Sequence, residues 1–251
     1  MNRVLLITGA SRGIGAATAL RAARAGWHVA VNYARDAAAA EAVAAQVREI
    51  GRRALVVQAD VAHEAEVLAM FAAIDAARDE LGPLGGLVNN AGIVDRAQRV
   101  DEMSAARLER MFAVNVLGSM LCAREALRRI STRHGGPGGV IVNLSSVAAR
   151  LGAPGQYVDY ATSKGAIDTF TLGLAREVAT EGVRVNAVRP GIIETDIHAS
   201  GGEPDRAQRM SPLVPMQRAG SADEVAAAIV WLLSDDASYT TGAFIDVGGG
   251  R

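Results

Sequence analysis

Short apolar runs alternate along the chain with longer segments whose apolar positions recur every three or four residues. The runs at 4–8, 27–33, 54–58, 86–89, 140–144, 184–188 and 243–247 are nearly continuous, as in Val-Leu-Leu-Ile and Val-Ile-Val. They predict seven strands covered on both faces. Between them, 14–25, 36–50, 64–81, 104–133, 157–181 and 221–234 carry the helical period and predict six main helices. Gly51 and Gly182 end two of these helices, Pro190 stops the sixth strand, and Ser221 with Glu224 makes a capping box. The stretch 191–215, holding Pro204, Pro212 and Pro215, reads as irregular. Strict β–α alternation predicts an α/β, doubly wound fold: a seven-stranded parallel sheet, right-handed crossovers and helices on both faces. No linker or shift in composition divides 1–251, so one domain is expected, with a substrate loop at about 191–215.

Composition narrows the function. Half of the 251 residues are apolar and 21% are charged, which excludes a disordered chain. A formal net charge of −1 gives no electrostatic reason to expect nucleic acid or an anionic membrane as partner. Uncharged windows such as 111–123 are too short and too polar to span a bilayer. The apolar run before Thr8 is shorter than a signal peptide requires. Cys122 stands alone and fits a reducing cytoplasm. His28, His63, His134 and His198 are scattered without ligand spacing, so no metal is expected. Of 26 basic residues one is a lysine, Lys164, and the rest are arginine. A position that keeps an ammonium in such a chain is a candidate for chemistry that a guanidinium cannot imitate.

Two local patterns carry that chemistry. Thr8-Gly9-Ala10-Ser11-Arg12-Gly13-Ile14-Gly15 lies between the first strand and the first helix. Gly9 suits a tight turn, and Gly13 and Gly15 remove side chains where a dinucleotide pyrophosphate would meet the helix amino terminus. No Gly-Lys-Ser/Thr follows, which excludes a Walker loop. Farther on, Tyr160 and Lys164 are four apart in a predicted helix and share one face. A neighbouring ammonium favours phenolate and brings a tyrosine toward ambient pH, where it can exchange a proton with an alcohol or carbonyl oxygen. Ser146 follows the fifth predicted strand at a carboxyl end, where ligands of open parallel sheets bind.

The spacing T-G-x-x-x-G-x-G resembles the short-chain dehydrogenase/reductase family, in its single-domain branch with a Rossmann fold. The resemblance runs the whole length: Asn89-Asn90-Ala91-Gly92, Asn115, Asn143-Leu144-Ser145-Ser146, Tyr160-Ala161-Thr162-Ser163-Lys164, and Arg189-Pro190-Gly191 with Thr195. It implies Tyr160 as acid/base, Lys164 as its tuner and ribose ligand, Ser146 as binder of the substrate oxygen, and Asn115 as holder of a relay water. It implies cofactor contacts at Gly9, Ser11, Arg12, Gly13, Ile14, Gly15, Arg35, Asp60, Val61, Asn89, Ala91, Gly92, Tyr160, Lys164, Pro190, Gly191, Ile193 and Thr195. Ser146 and Tyr160 stand one residue farther apart than the family's commonest spacing, which an insertion in 148–156 explains. Ser145 is expected to bond locally in its turn. Tyr157 has no lysine four residues on.

NAD-preferring members place an acidic residue at the end of the second strand, where this chain has Tyr33. Arg12 and Arg35 could both face a 2′-phosphate, so NADP is expected, with NAD as the alternative. Asp36 is expected to cap the next helix. The substrate pocket should draw on 148–157 and 192–215, with Leu151, Val158, Ile192, Met210 and Leu213 beside Arg150, Gln156, Glu194 and His198. His198 reads as a solvated residue of the lid. That mixture does not specify a substrate; the family resemblance implies a small-molecule carbonyl or alcohol. Reductases of 3-oxoacyl thioesters on acyl carrier protein also resemble this chain, but many carry a base where this chain has Glu181 ahead of Gly182. A sign reversal at an electrostatic docking site disfavours the acidic carrier. A non-catalytic dinucleotide sensor would tolerate loss of Tyr160 or Lys164, and both are present. The resemblance further implies a homotetramer, through the long helix 157–181 and the region around Trp231.

Overall fold

The computed structural model describes residues 3–251. The strands are β1 (Val4–Ile7), β2 (His28–Tyr33), β3 (Ala54–Gln58), β4 (Leu84–Asn89), β5 (Gly139–Leu144), β6 (Val183–Pro190), β7 (Ile193–Glu194), β8 (Gly220–Ser221) and β9 (Phe244–Val247). Seven of them form one all-parallel sheet in the order β3-β2-β1-β4-β5-β6-β9, and β7 pairs with β8 in a short parallel ribbon. The strand order reverses between β1 and β4, the place where ligands of doubly wound sheets bind.

The helices are α1 (Gly13–Arg24), α2 (Ala37–Glu49), α3 (Glu64–Ala76), α4 (Arg78–Leu81), α5 (Ala105–Phe112), α6 (Gly118–Ile130), α7 (Ala148–Leu151), α8 (Val158–Glu177), α9 (Ile197–Ser200), α10 (Arg206–Met210) and α11 (Ala222–Leu233). They cover both faces because alternate strand residues point to opposite sides. Leu5 and Ile7 of β1 join Val29 and Val31 in a core with Ala19 and Ala23 of α1 and Val225 and Ile229 of α11. Val4 and Leu6 join the opposite core with Phe71 of α3, Cys122 of α6 and Leu174 of α8. Among the described residues no helix is long and apolar enough to cross a membrane.

Three segments depart from the sequence reading. The helix expected over 64–81 breaks at Ala77, separating α3 from α4. The one expected over 104–133 divides into α5, a π-helical turn over Ala113–Leu117, and α6. A π turn inserts one residue into the helical ladder without interrupting the hydrophobic pattern, so periodicity passes through it unmarked. The stretch 191–215 is ordered into β7, α9 and α10, and Ile192, Ala207 and Val214 form a small apolar cluster of its own.

Candidate active site

The turn between β1 and α1 is held by polar side chains buried beneath it. The Asn32 amide, 1% exposed, donates to the carbonyls of Val57 (3.3 Å) and Ala59 (3.1 Å) and accepts from Gly9 N–H (3.1 Å), so it ties the turn to the ends of β2 and β3. Thr8 Oγ1 accepts from the N–H groups of Asn90 and Ala91, each at 3.0 Å. The Asn90 amide donates back to the carbonyls of Thr8 (2.8 Å) and Gly9 (2.9 Å). These bonds clamp the turn after β1 to the turn after β4, across the reversal of strand order.

Gly9 and Gly13 have φ of +60° and +57°, a region that L side chains rarely adopt. Gly15 answers to another cause. A Cβ there would stand 2.6 Å from both the Asn90 amide nitrogen and the Gly9 carbonyl. Packing of the turn against Asn90 is thus a second reason for glycine at 15, beside the space expected for a pyrophosphate. No side chain caps α1, and its first turn has no acidic residue, so its leading N–H groups are open to an anion. Ser11 and Ile14 are half-buried along this turn, and Arg12 is exposed, its guanidinium donating to Ser200 Oγ of α9 at 3.2 Å.

Other expected cofactor residues line the same rim. Arg35 is exposed just past β2, and Asp36 accepts from Ala39 N–H at 2.9 Å as the cap of α2. Asp60, half-buried after β3, accepts from Ala62 N–H, while Val61 is buried against Gly118. The Asn89 side chain is buried and donates to Ser119 O (3.0 Å) and Asn143 Oδ1 (2.9 Å). Ala91 and Gly92 follow it. A Cβ on Gly92 would lie 3.5 Å from both Asn115 Oδ1 and Lys164 Nζ. Pro190 O accepts from Val147 N–H (3.1 Å), Gly191 N–H donates to Val247 O (2.9 Å), Ile193 is buried in β7, and Thr195 lies beside Gly13. These N–H groups, arginines and side-chain-free positions fit the pyrophosphate and ribose of a dinucleotide.

Four residues converge where β5 meets α8. The Ser146 hydroxyl is close enough to the Tyr160 phenol to act on its titration, so the extra residue between them is absorbed in the turn at 152–156. Ser146 Oγ also accepts from Ala148 N–H at 3.1 Å. Lys164, 5% exposed, donates from Nζ to Leu144 O at 2.7 Å, with Nζ 5.6 Å from the centroid of the Tyr160 ring. Asn115 sits fully buried in the π turn. Its amide exchanges bonds with the backbone of Ile93 (2.8 and 3.0 Å) and donates to Ser163 Oγ (3.1 Å), which locks the π turn against α8. Ser145 departs from expectation: it donates to Lys164 O at 3.1 Å, pinning the middle of α8 to the end of β5.

Burial pushes the Tyr160 phenol above its ordinary pKa, and the Ser146 hydroxyl pulls it back. Burial pushes the Lys164 ammonium down to about 8, against an upward pull from Asp168. The Cys122 thiol is pushed up to about 12 by burial and by Glu125, which makes it inert as a nucleophile.

Two further constellations escaped sequence reading. Arg107 of α5 and Asp159 of α8 make a bidentate pair (2.8 and 3.2 Å), with side chains 7% and 0% exposed. The same guanidinium donates to Arg96 O (2.7 Å) and Gln98 Oε1 (3.0 Å), fastening the segment after β4. Over the other side, Tyr157 Oη donates to Glu203 at 2.5 Å and Arg206 lies 4.9 Å above the Tyr157 ring while donating to Gln156. Tyr157 thereby anchors 203–210 over the first turn of α8. Of the pocket residues expected here, Leu151 and Leu213 are exposed and Ile192 is buried; the His198 side chain lies outside the described ones. Away from the site, Glu181 is mostly covered, accepts from Ser131 Oγ at 2.5 Å and lies 3.8 Å from Arg133.

Comparison with known proteins agrees with this geometry. Residues 9–251 match the family model described as enoyl-(acyl carrier protein) reductase. The chain is 56% identical to the uncharacterized oxidoreductase YgfF of Escherichia coli (strain K12), over 99% of both chains. It is 36% identical to glucose 1-dehydrogenase 2 of Bacillus subtilis (strain 168), over 99% of this chain and 94% of the relative. The crystal structure of a 3-ketoacyl-(acyl-carrier-protein) reductase from Brucella melitensis, complexed with NADH, superposes with a TM-score of 0.89 at 35% identity, covering 99% of this chain and 98% of that one. The chain belongs to the short-chain dehydrogenase/reductase family. It is an oxidoreductase of that family, whose members bind NAD(P)(H).

Proposed function

We propose that the chain interconverts the carbonyl and alcohol of a small molecule, using NADP(H), with NAD(H) as the alternative cofactor. The observation that carries this is the buried Lys164, the only lysine of the sequence, with its Nζ 5.6 Å from the Tyr160 ring one helical turn away, beside Ser146 at the end of β5. A bound nicotinamide supplies or accepts hydride at the substrate carbon. Tyr160 gives a proton to the substrate oxygen in reduction and takes it back in oxidation. Ser146 donates to the same oxygen and orients it. Lys164 stabilises the phenolate and bonds the nicotinamide ribose. Asn115 keeps the π turn in place beside Lys164 and holds a relay water. Residues 1–251 act as one domain, and 191–215 serves as the lid that excludes water from the reacting atoms.

Arg12 and Arg35, both exposed at the rim, favour the 2′-phosphate of NADP; Tyr33 stands where a carboxylate would bind the bare ribose, and Asp36 is engaged as a helix cap. Reduction of 3-oxoacyl-acyl carrier protein is the second reading, because a neighbour of that name shares the fold. Glu181, mostly covered and 3.8 Å from an exposed Arg133, sets a negative charge where many carrier reductases place a base, which favours free substrates. A homotetramer is supported by the partly exposed apolar residues Leu172 on α8 and Trp231 on α11, and a cytoplasmic location by the single, buried Cys122.

The test is oxidation of NADPH and of NADH against a panel of free aldehydes, ketones, sugars and one 3-oxoacyl carrier thioester, with the parent chain and Tyr160→Phe. Turnover of a free carbonyl should fall about 100-fold or more in Tyr160→Phe while cofactor affinity holds. Equal turnover in the two would remove the acid/base assignment, and turnover of the carrier thioester alone would favour the second reading.

A further inference from the structure

Lys164 is buried, and burial works against its charge, yet the chemistry assigned to it requires an ammonium. The groups near its ammonium are almost all neutral: the Leu144 carbonyl at the end of β5, Gly92 after β4, Asn115 in the π turn, and the Tyr160 phenol on α8. The exception is Asp168, four residues beyond Lys164 on α8 and so on the same helical face. Its carboxylate is mostly covered, and Arg189 of β6 grips only one oxygen, Oδ2, from Nε (3.1 Å) and Nη2 (2.9 Å). The other oxygen, Oδ1, is buried and makes no hydrogen bond within the chain. Arg189 is fixed in turn: its guanidinium stacks 4.0 Å from the Phe244 ring and lies 3.6 Å from Asp246, which Arg150 holds at 3.0 Å.

A buried carboxylate with one oxygen unpaired costs stability unless its charge acts on something. We propose that Asp168, pinned by Arg189, is a positioning residue for Lys164: it sets a fixed negative charge one helical turn from the ammonium and keeps that ammonium protonated. The consequence for turnover rests on the reading of Tyr160 and Lys164 as the acid/base pair; the charge state of Lys164 does not.

The composition of the chain makes the charge state directly readable. Lys164 is the sole lysine, so growth on lysine carbon-13-labelled at Cε yields one side-chain resonance that needs no assignment. In the full-length parent this resonance should titrate near the value of about 8 that burial and Asp168 set together. In Asp168→Asn, which keeps an acceptor for Arg189, the titration should move down by roughly one pH unit, the size of one charge acting over one helical turn. In Arg189→Gln it should move up, because Asp168 loses the cation that offsets it. Opposite signs in the two variants separate a field on Lys164 from a brace for the fold, which would move both alike or neither. An unmoved resonance in a folded Asp168→Asn chain, or a downward shift in Arg189→Gln, would overturn the proposal; the second variant stands alone if the first does not fold. Turnover against pH, measured alongside, tests the other reading. A shifted resonance with an unchanged profile would keep Asp168 in its role and remove Lys164 from the acid/base step.

Discussion

Asp159→Asn is a near-isosteric exchange of one carboxylate oxygen for an amide nitrogen, and the surroundings of Asp159 make it severe. The carboxylate is fully covered and receives two bonds from Arg107, whose side chain is 7% exposed. An amide in its place turns a donor toward a guanidinium that can only donate, and it leaves a buried cation without a counter-charge. Breaking one partner of such a pair costs about 3–5 kcal/mol. At roughly 2–4 °C per kcal/mol for a chain of this length, the midpoint of thermal unfolding should fall by about 6–20 °C. The favourable worth of the intact pair is far smaller, because both charges had to leave water. Arg107→Met combined with Asp159→Leu should therefore recover about half of the loss. Recovery stops there because Arg96 O and Gln98 Oε1 lose the donor they share. The assay is calorimetric unfolding of the parent, both single variants and the double variant at one protein concentration. A midpoint for Asp159→Asn within about 2 °C of the parent, or a double variant as unstable as the two singles added together, would refute the reasoning.

Gly15→Ala should lower the unfolding midpoint and weaken dinucleotide binding together, since its Cβ would stand 2.6 Å from a main-chain carbonyl that cannot swing aside; a cofactor titration beside a melt checks both, with a stability loss of about 1–3 kcal/mol expected. His28 is held below its ordinary pKa by burial and by Arg52 and Arg53, so the unfolded chain binds the extra proton and stability falls as pH drops through about 6.5 toward the lower folded value. His28→Asn, which can still accept from Arg53 N–H, should flatten that acid-side loss in melts between about pH 7 and pH 5. Lys164→Arg should lower turnover about 100-fold, because the larger planar cation does not fit where Lys164 Nζ meets Leu144 O beside Gly92; steady-state rates at saturating cofactor across pH decide it.

What was legible in the chain was whatever repeats at a local period. Leu5 and Ile7 against Val4 and Leu6 announce a strand covered on both faces, and the structure divides them between two cores as alternation requires. Ser221 and Glu224 cap α11 reciprocally, as their spacing says. Tyr160 and Lys164 meet because four residues are one helical turn. The polar residues that weld these elements together follow another logic. Arg107 and Asp159 are 52 residues apart, and each taken alone looks like a solvated charge on a helix. Asn32 lies in a strand of apolar neighbours and reads as an interruption, although it ties the first turn to the ends of two strands. Nothing periodic distinguishes Asp168 from the exposed carboxylates of this chain, because what sets it apart is an arginine 21 residues later.

The same asymmetry says where substitutions will mislead. An apolar core residue has many neighbours and tolerates a swap of similar volume, because packing is non-directional. Asn32 pairs with Gly9 N–H and the carbonyls of Val57 and Ala59, Asn90 with the carbonyls of Thr8 and Gly9, and Asn115 with the backbone of Ile93 and Ser163 Oγ, so each joins its own element to another. Replacing such an amide by an apolar side chain of equal size leaves every one of those partners buried and unpaired, at about 1–3 kcal/mol each. The partners lie on the turn that leads into the uncapped start of α1, on the segment after β4, at the end of β3 and on the helix that carries Tyr160 and Lys164. Loss at these asparagines should therefore appear as displaced chemistry before it appears as an unfolded chain. The polar core beneath this site is accordingly a better guide to its geometry than the residues that face the ligand, which can be exchanged without moving the scaffold that aims them.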